Sequence, residues 1–317
     1  MAGEVRVGIC AWADPALIED GSFYPRKSMS AEARLRFYAS AFDTVEVNAS
    51  YYAIPDVRTV ALWVERTPPR FLFSVKAYAL MTAHHPRLET LPAEVRRLLP
   101  GTVQLTPRGE VPHSAVGREA LDECFRLYRL AIDPLVEAGK LGYVLFQFAP
   151  WFAWSRSRLE YVESLGDRLP GLSVAVEFRN RSWFPAHEAD TLSALRSARL
   201  AHVVVDAPVT TNAIPRVPVT TAPTAVIRLH GRNAGGWLRQ LRGEGPSVRE
   251  KYDYLYREDE LQELVPEIEA LQDEAERVFI SFNNNNRAYP VTNALMMRRL
   301  LGGRPPEGYA LPGHRFA

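Results

Sequence analysis

Three pairs of residues spaced two apart bring together side chains that could do chemistry: Glu46 with Asn48, Glu177 with Arg179, and Arg228 with His230. In an extended chain, residues i and i+2 point to the same face, so each pair presents two functional groups together. Lys76, Gln147, Asp206, Asn283 and Asn284 stand in the same situation, each at the end of a short apolar run. Glu46 and Glu177 suit an acid/base pair, and two carboxylates at a suitable separation would also serve glycoside hydrolysis. Lys76, Arg179, Arg228 and His230 suit a clamp on phosphate or carboxylate. Asn48, Gln147, Asp206, Asn283 and Asn284 are the groups to orient such a ligand. Trp12, Tyr52 and Trp183 are the aromatic residues expected to line it, with Tyr51 and Trp237 as further stacking candidates.

Each of these assignments has a rival. A lysine ending a strand can form a Schiff base when burial lowers its pKa, although the nearby cations favour the anion clamp. Glu46, Glu177, Asp206 and His230 could converge on a metal, but Lys76, Arg179 and Arg228 would compete for the same carboxylates. No metal ligand is therefore assigned; no cofactor is required, and a divalent metal stays open. His84 and His85 are adjacent and read as a polar loop pair. Cys10 reads as a small buried hydrophobe. Tyr252, Tyr254 and Tyr256, interleaved with Arg249, Lys251 and Arg257, form a basic and aromatic patch of the kind that holds single-stranded nucleic acid. The plainest alternative for the whole set is a structural charge network.

These residues need elements to position them. Eight short, β-branched apolar runs cover 5–9, 44–48, 71–76, 143–147, 173–178, 202–206, 225–229 and 278–282. Unbroken apolar runs of this length fit strands buried on both faces of a parallel sheet. Amphipathic stretches alternate with them at 30–41, 56–66, 118–138, 156–169, 185–198 and 258–274, and a last helix at 292–301 precedes Gly302-Gly303. Ser30 and Ser155 stand where helix caps belong. Eight strands alternating with helices, and no Gly-x-Gly-x-x-Gly after the first, predict a (β/α)₈ TIM barrel, not an open doubly wound sheet. Residues 1–317 read as one domain with two long loops, 100–117 and 233–248. In a barrel of this type, the carboxyl ends of the strands form the active-site face. Seven of the eight runs end there in a charged or amide residue.

Composition narrows the function classes. The chain has 317 residues, 47% hydrophobic and 24% charged, with a net charge of +1. That excludes a disordered tail or a disulfide-built miniature domain, and it supplies no global field for nucleic acid or an anionic membrane. The two cysteines form no framework, and no signal peptide or spanning segment is read, so a cytoplasmic setting is expected. Of 38 basic residues only Lys27, Lys76, Lys140 and Lys251 are lysines. Lys27 and Lys140 read as loop residues. Lys76 alone ends a buried strand, where a compact ammonium replaces the chain's usual guanidinium.

Six segments, in order, resemble the YecE-like TIM-barrel family, the domain of unknown function numbered seventy-two. They are Thr44–Tyr52, Phe73–Lys76, Val144–Gln147, Val176–Arg179 with Ser182-Trp183, Arg228–Gly231, and Phe282–Asn284 with Asn293-Ala294. The resemblance spans about residues 5 to 301. It implies a TIM barrel with a polar mouth built from these positions, and it implies no reaction. The chain departs from the family pattern in three places. Cys10-Ala11 replaces Ser-Gly in the opening Gly-x-Ser-Gly-Trp motif, Asn180-Arg181 precedes Ser182-Trp183 where His-Pro is frequent, and Asn285 replaces an Asp. The expectation is an enzyme acting on a polar anionic or phosphoester substrate by acid/base or hydrolytic chemistry. The alternatives are a non-catalytic module binding nucleic acid or a phospholigand, and a glycosidase-like enzyme. Oligomeric state is left open.

Overall fold

The structure, a computed structural model, describes residues 2–208, 214–241 and 250–303. Eight parallel strands close into a barrel in sequence order: β1 Glu4–Cys10, β2 Thr44–Val47, β3 Leu72–Lys76, β4 Leu141–Gln147, β5 Val174–Glu177, β6 Ala201–Asp206, β7 Thr224–Leu229 and β8 Arg277–Phe282. The (β/α)₈ expectation holds, with each strand within a residue or two of its place. The β-branched runs are strands because both their faces are covered: β2, β5, β6 and β7 are buried along their whole length. Contacts gather the chain into two compact units. Of the described residues, one takes those through Glu46, Arg66–Leu72 and those from Ala201 on; the other takes Val47–Glu65 and Phe73–Leu200.

Helix starts follow local chemistry. Ser30 Oγ accepts the N–H of Ala33 at 3.1 Å, and Ser155 Oγ accepts that of Arg158 at 3.3 Å, each satisfying an orphan donor of the first turn. Several expected boundaries move, among them the start of the 185–198 stretch, whose helix runs Glu188–Ser197. The 258–274 stretch divides into Glu258–Gln262 and Val265–Glu274, because Pro266 has no N–H to continue the ladder and opens the second helix instead. The 156–169 stretch divides at Ser164. The last helix starts at Tyr289, not 292, with Pro290 tolerated in its first turn.

The supposed 233–248 loop contains a helix, Ala234–Leu241, and its residues 242–248 lie outside the described residues. Gly235-Gly236 argues against a helix by propensity, yet Asn233 Oδ1 accepts the N–H of Gly236 at 3.0 Å. A Cβ on Gly236 would lie 2.8 Å from the carbonyl oxygen of Glu250, so close packing requires the glycine. The 100–117 segment carries a bridge between Arg87 and Glu110 and a short 3₁₀ turn, His113–Ala115. Lys140 is not a solvated loop lysine. It is buried, and its ammonium donates to the carbonyl of Val64 at 2.7 Å.

Candidate functional site

In the first unit the strand ends meet as buried ion pairs. Cys10 on β1 and Glu46 on β2 are register partners, which sets the Cys10 thiol to donate to Glu46 Oε1 at 3.2 Å. Arg228 on β7 reaches the same carboxylate side-on, Nε to Oε2 at 2.9 Å and Nη2 to Oε1 at 2.6 Å. All three residues are buried. Burial pushes the Cys10 thiol well up, and the Glu46 carboxylate adds to the shift, so the thiol stays protonated. Cys10 is thus a hydrogen-bond donor to a charged pair as well as a packing residue. Just beyond it Ala11 holds a left-handed backbone, φ 69°, while its N–H donates to the Glu46 carbonyl. The family's usual glycine at that position has this physical reason.

Asp206, ending β6, is the hub of a second network. It accepts from Arg232 (3.0 and 2.9 Å), from Arg216 (2.8 Å) and from the Tyr256 hydroxyl (2.7 Å). Burial alone would raise its pKa; the bonds from Arg232 and Tyr256, with the charge of Arg216, outweigh burial and hold it below the usual carboxylate range. His230 is buried and its Nδ1 accepts from Asn283 Nδ2 at 2.9 Å. Asn284 is fully buried. It gives its amide hydrogens to the Tyr254 carbonyl (2.8 Å) and Asn293 Oδ1 (2.9 Å), pinning the 254–256 segment. Among the expected ligand-orienting groups, Asp206 and Asn284 therefore have clear structural partners. Tyr256 is buried too, and Tyr254 bonds Glu260, so these two tyrosines do not form an exposed stacking row. Arg249 of that patch lies outside the described residues.

The second unit presents its strand ends more openly. Lys76, Gln147 and Arg179 are all partly exposed. Arg179 Nε meets Glu177 Oε1, and its Nη2 donates to Gln147 Oε1 at 3.3 Å. Gln147 and Glu177 are register partners on β4 and β5, which explains how one guanidinium serves both. Asn48 does not continue β2: its backbone is helical (φ −90°, ψ −21°), so the expected shared face with Glu46 is broken by the turn Ala49–Tyr51. Lys76 Nζ sits 4.6 Å from the centre of the Tyr51 ring, a cation–π contact.

Around Lys76 lies a cluster of rings, in which the stacking candidate Tyr51 and the loop pair His84-His85 are joined by Trp151, a residue with no role expected from the sequence. Tyr51 meets His84 edge-on at 5.1 Å, His84 meets Trp151 at 5.5 Å, and Trp151 stacks on His85 at 5.4 Å with 13° between planes. His84 Nδ1 bonds Thr82 Oγ1 at 2.9 Å; because that hydroxyl also donates to the Ala79 carbonyl, the imidazole is the donor and its Nε2 the acceptor. Burial, then the charges of Lys76, His85 and Arg179, push the His84 pKa down to about 3, so it is neutral at pH 7. His85 Nδ1 accepts the N–H of His113 at 3.0 Å, which leaves the ring hydrogen of neutral His85 on Nε2.

Of the expected aromatic lining, Tyr52 is 70% exposed, whereas Trp183 is fully buried. Trp183 packs on Phe178 and Phe152 and donates to the Phe152 carbonyl at 2.7 Å, so it is a core residue and not a lining one. Trp12 is partly exposed, and its carbonyl accepts the Tyr24 hydroxyl. Trp151, by contrast, is 52% exposed. Its signal in the sequence was the aromatic run after β4, Phe148 to Trp154. Among the described residues no three His, Cys, Asp or Glu side chains gather as a metal-ligand set, and no helix is long and apolar enough to cross a membrane.

Comparison with known proteins agrees with this architecture. A family model described as a protein of unknown function, DUF72, matches residues 6–313. The UPF0759 protein YunF of Bacillus subtilis (strain 168) is 33% identical over 301 residues, covering 94% of each chain. A crystal structure of a DUF72 family protein from Enterococcus faecalis V583 superposes with a TM-score of 0.75 at 26% identity, covering 99% of this chain and 100% of that one. A DUF72 protein from Thermotoga maritima MSB8 gives 0.70 at 28% identity, covering 94% of this chain and 99% of that one.

Proposed function

The chain belongs to the DUF72 family of proteins of unknown function, and from that premise we propose an enzyme acting on a polar anionic or phosphoester ligand held at the carboxyl ends of β3 to β5. The observation that carries this reading is the contrast between the strand ends. Glu46, Asp206, Arg228 and His230 are buried, whereas Lys76, Gln147 and Arg179 reach solvent beside His84, kept neutral by burial first and by surrounding positive charge second. An ammonium and a guanidinium at a partly dry surface suit a phosphate or carboxylate. His85, whose tautomer is fixed by the N–H of His113, offers Nε2–H as a hydrogen-bond donor to charge developing on a leaving oxygen. Glu177 orients Arg179, and Glu46 orients Arg228.

A second reading, binding without catalysis, is favoured by one fact: both expected acid/base carboxylates, Glu46 and Glu177, are engaged by guanidinium groups. The two readings share a first test. Phosphate or sulfate at about ten times its dissociation constant should stabilise the protein by about 1.4 kcal/mol, a rise in Tm of about 2 °C or more. Equal stabilisation of Lys76→Ala refutes the anion site. Turnover of a phosphoester panel, lost in His85→Gln with the phosphate-induced rise in Tm retained, separates enzyme from binder.

A further inference from the structure

We propose that this anion site continues into a ring-binding subsite formed by Trp151 and Tyr52, and that the ligand belongs to the class of nucleotides: a phosphate joined to a flat heteroaromatic ring. The inference rests on the anion-binding reading above and adds the second half of the ligand. Among the described residues, Tyr52 and Trp151 are the most exposed of the large hydrophobic side chains, at 70% and 52%. Large aromatic rings left in water concentrate at binding surfaces, because burying them against a ligand recovers much apolar area with few rotors to order.

The positions of these rings tie them to the charge. Tyr51 lies under the Lys76 ammonium at 4.6 Å and meets Tyr52 edge-on, 5.0 Å between centres and 89° between planes. Tyr51 also meets His84, and His84 meets Trp151, so the contacts run unbroken from the ammonium to the exposed indole. Trp151 is oriented in advance. Its Nε1 donates to the carbonyl of Ala83 at 3.2 Å, and one face is backed by His85, itself held by the N–H of His113. A ring so fixed loses little freedom when a base stacks on it. The positive charge of Lys76 and Arg179 beside these rings favours an anionic occupant of the aromatic surface, and a phosphate carries that charge.

Calorimetric titration of the whole protein with inorganic phosphate, ribose 5-phosphate and adenosine 5′-monophosphate tests this. Stacking on one aromatic side chain makes the nucleotide about tenfold tighter than the sugar phosphate. Trp151→Ala and Tyr52→Ala should each erode that advantage while leaving inorganic phosphate unchanged. Lys76→Ala should weaken all three ligands. A nucleotide no tighter than ribose 5-phosphate in the wild type overturns the ring subsite and leaves the anion site standing. So does a Trp151→Ala effect equal for nucleotide and sugar phosphate, which would mean a sugar-stacking surface. Unchanged binding of all three ligands to Lys76→Ala overturns the anion reading instead, and no binding of any ligand to the wild type overturns both. Tyr52→Ala, at the more exposed position, keeps the test decisive if Trp151→Ala does not fold.

Discussion

Arg228 and Glu46 meet side-on in the buried interior, two nitrogens of one guanidinium on two oxygens of one carboxylate, at 2.9 and 2.6 Å. Such a pair does not stabilise a fold in proportion to its Coulomb energy, since both ions lose water to form it. Removing one partner is another matter, because the other is left buried with its charge uncompensated. Glu46→Leu and Arg228→Leu should each cost about 3–5 kcal/mol in denaturant unfolding, and the double variant far less than the two together. Additive losses would show that the two residues do not act as a pair.

Ala11 carries a left-handed backbone that costs an L-residue about 1–2 kcal/mol. Glycine removes that strain but has more unfolded-state freedom to lose, about 0.4–1 kcal/mol. Ala11→Gly should therefore stabilise the protein by roughly 0.5–1 kcal/mol, read as a higher denaturation midpoint at an unchanged slope. A lower midpoint would contradict the strain argument.

Asp206 has a folded-state pKa below its unfolded value, so it favours folding above about pH 4 and loses that contribution as pH falls through the lowered folded value. Asp206→Asn, which removes the charge facing Arg216 and Arg232, should cost about 3 kcal/mol at pH 7. The difference from wild type should shrink in acid below pH 4. A pH-independent difference would mean that shape, not charge, holds the network.

His84 shows the opposite case of a cation made unfavourable. Its folded pKa of about 3 lies below the ordinary imidazole value of about 6.5, so the unfolded chain takes up a proton that the folded chain refuses. Its contribution to stability should fall as pH drops from about 6.5 towards 3, by up to about 1.4 kcal/mol per unit, less for partial solvent access. The imidazole resonance of His84 should stay at its neutral shift in NMR titration down to pH 4. A midpoint near 6.5 would contradict burial beside Lys76 and Arg179, and with it the positive environment.

The barrel was legible because parallel strands buried on both faces leave a direct trace: apolar runs, seven of the eight ended by a charged or amide residue. The strand-end groups were legible for the same reason. What the i, i+2 rule missed was where strands stop. Asn48 turns into a helical backbone one residue after β2, so its side chain does not follow Glu46. Tyr256, Arg216 and Arg232 converge on Asp206 from segments remote in sequence, and nothing local marks such a meeting. Trp183 was expected in the lining but is packed, while Trp151 was not singled out and is exposed, because an aromatic after a strand has no periodicity to tell a packed ring from an exposed one. Lys140 keeps its expected loop place, but its burial and its bond to the Val64 carbonyl, far off in the chain, have no local mark.

The chain's two cysteines fall one to each compact unit, Cys10 on β1 and Cys124 on the helix Arg118–Glu137, and both are fully buried. Burial pushes Cys124 up to about 12 and Cys10 well up as well, so neither offers thiolate to a reagent in the folded state. Their labelling by a thiol reagent thus waits on local or global opening. Nature has in effect placed one chemical clock in each unit. If the two residues label at the same rate, β1 and the 118–137 helix open together; if Cys124 labels first, its helix opens while β1 stays closed.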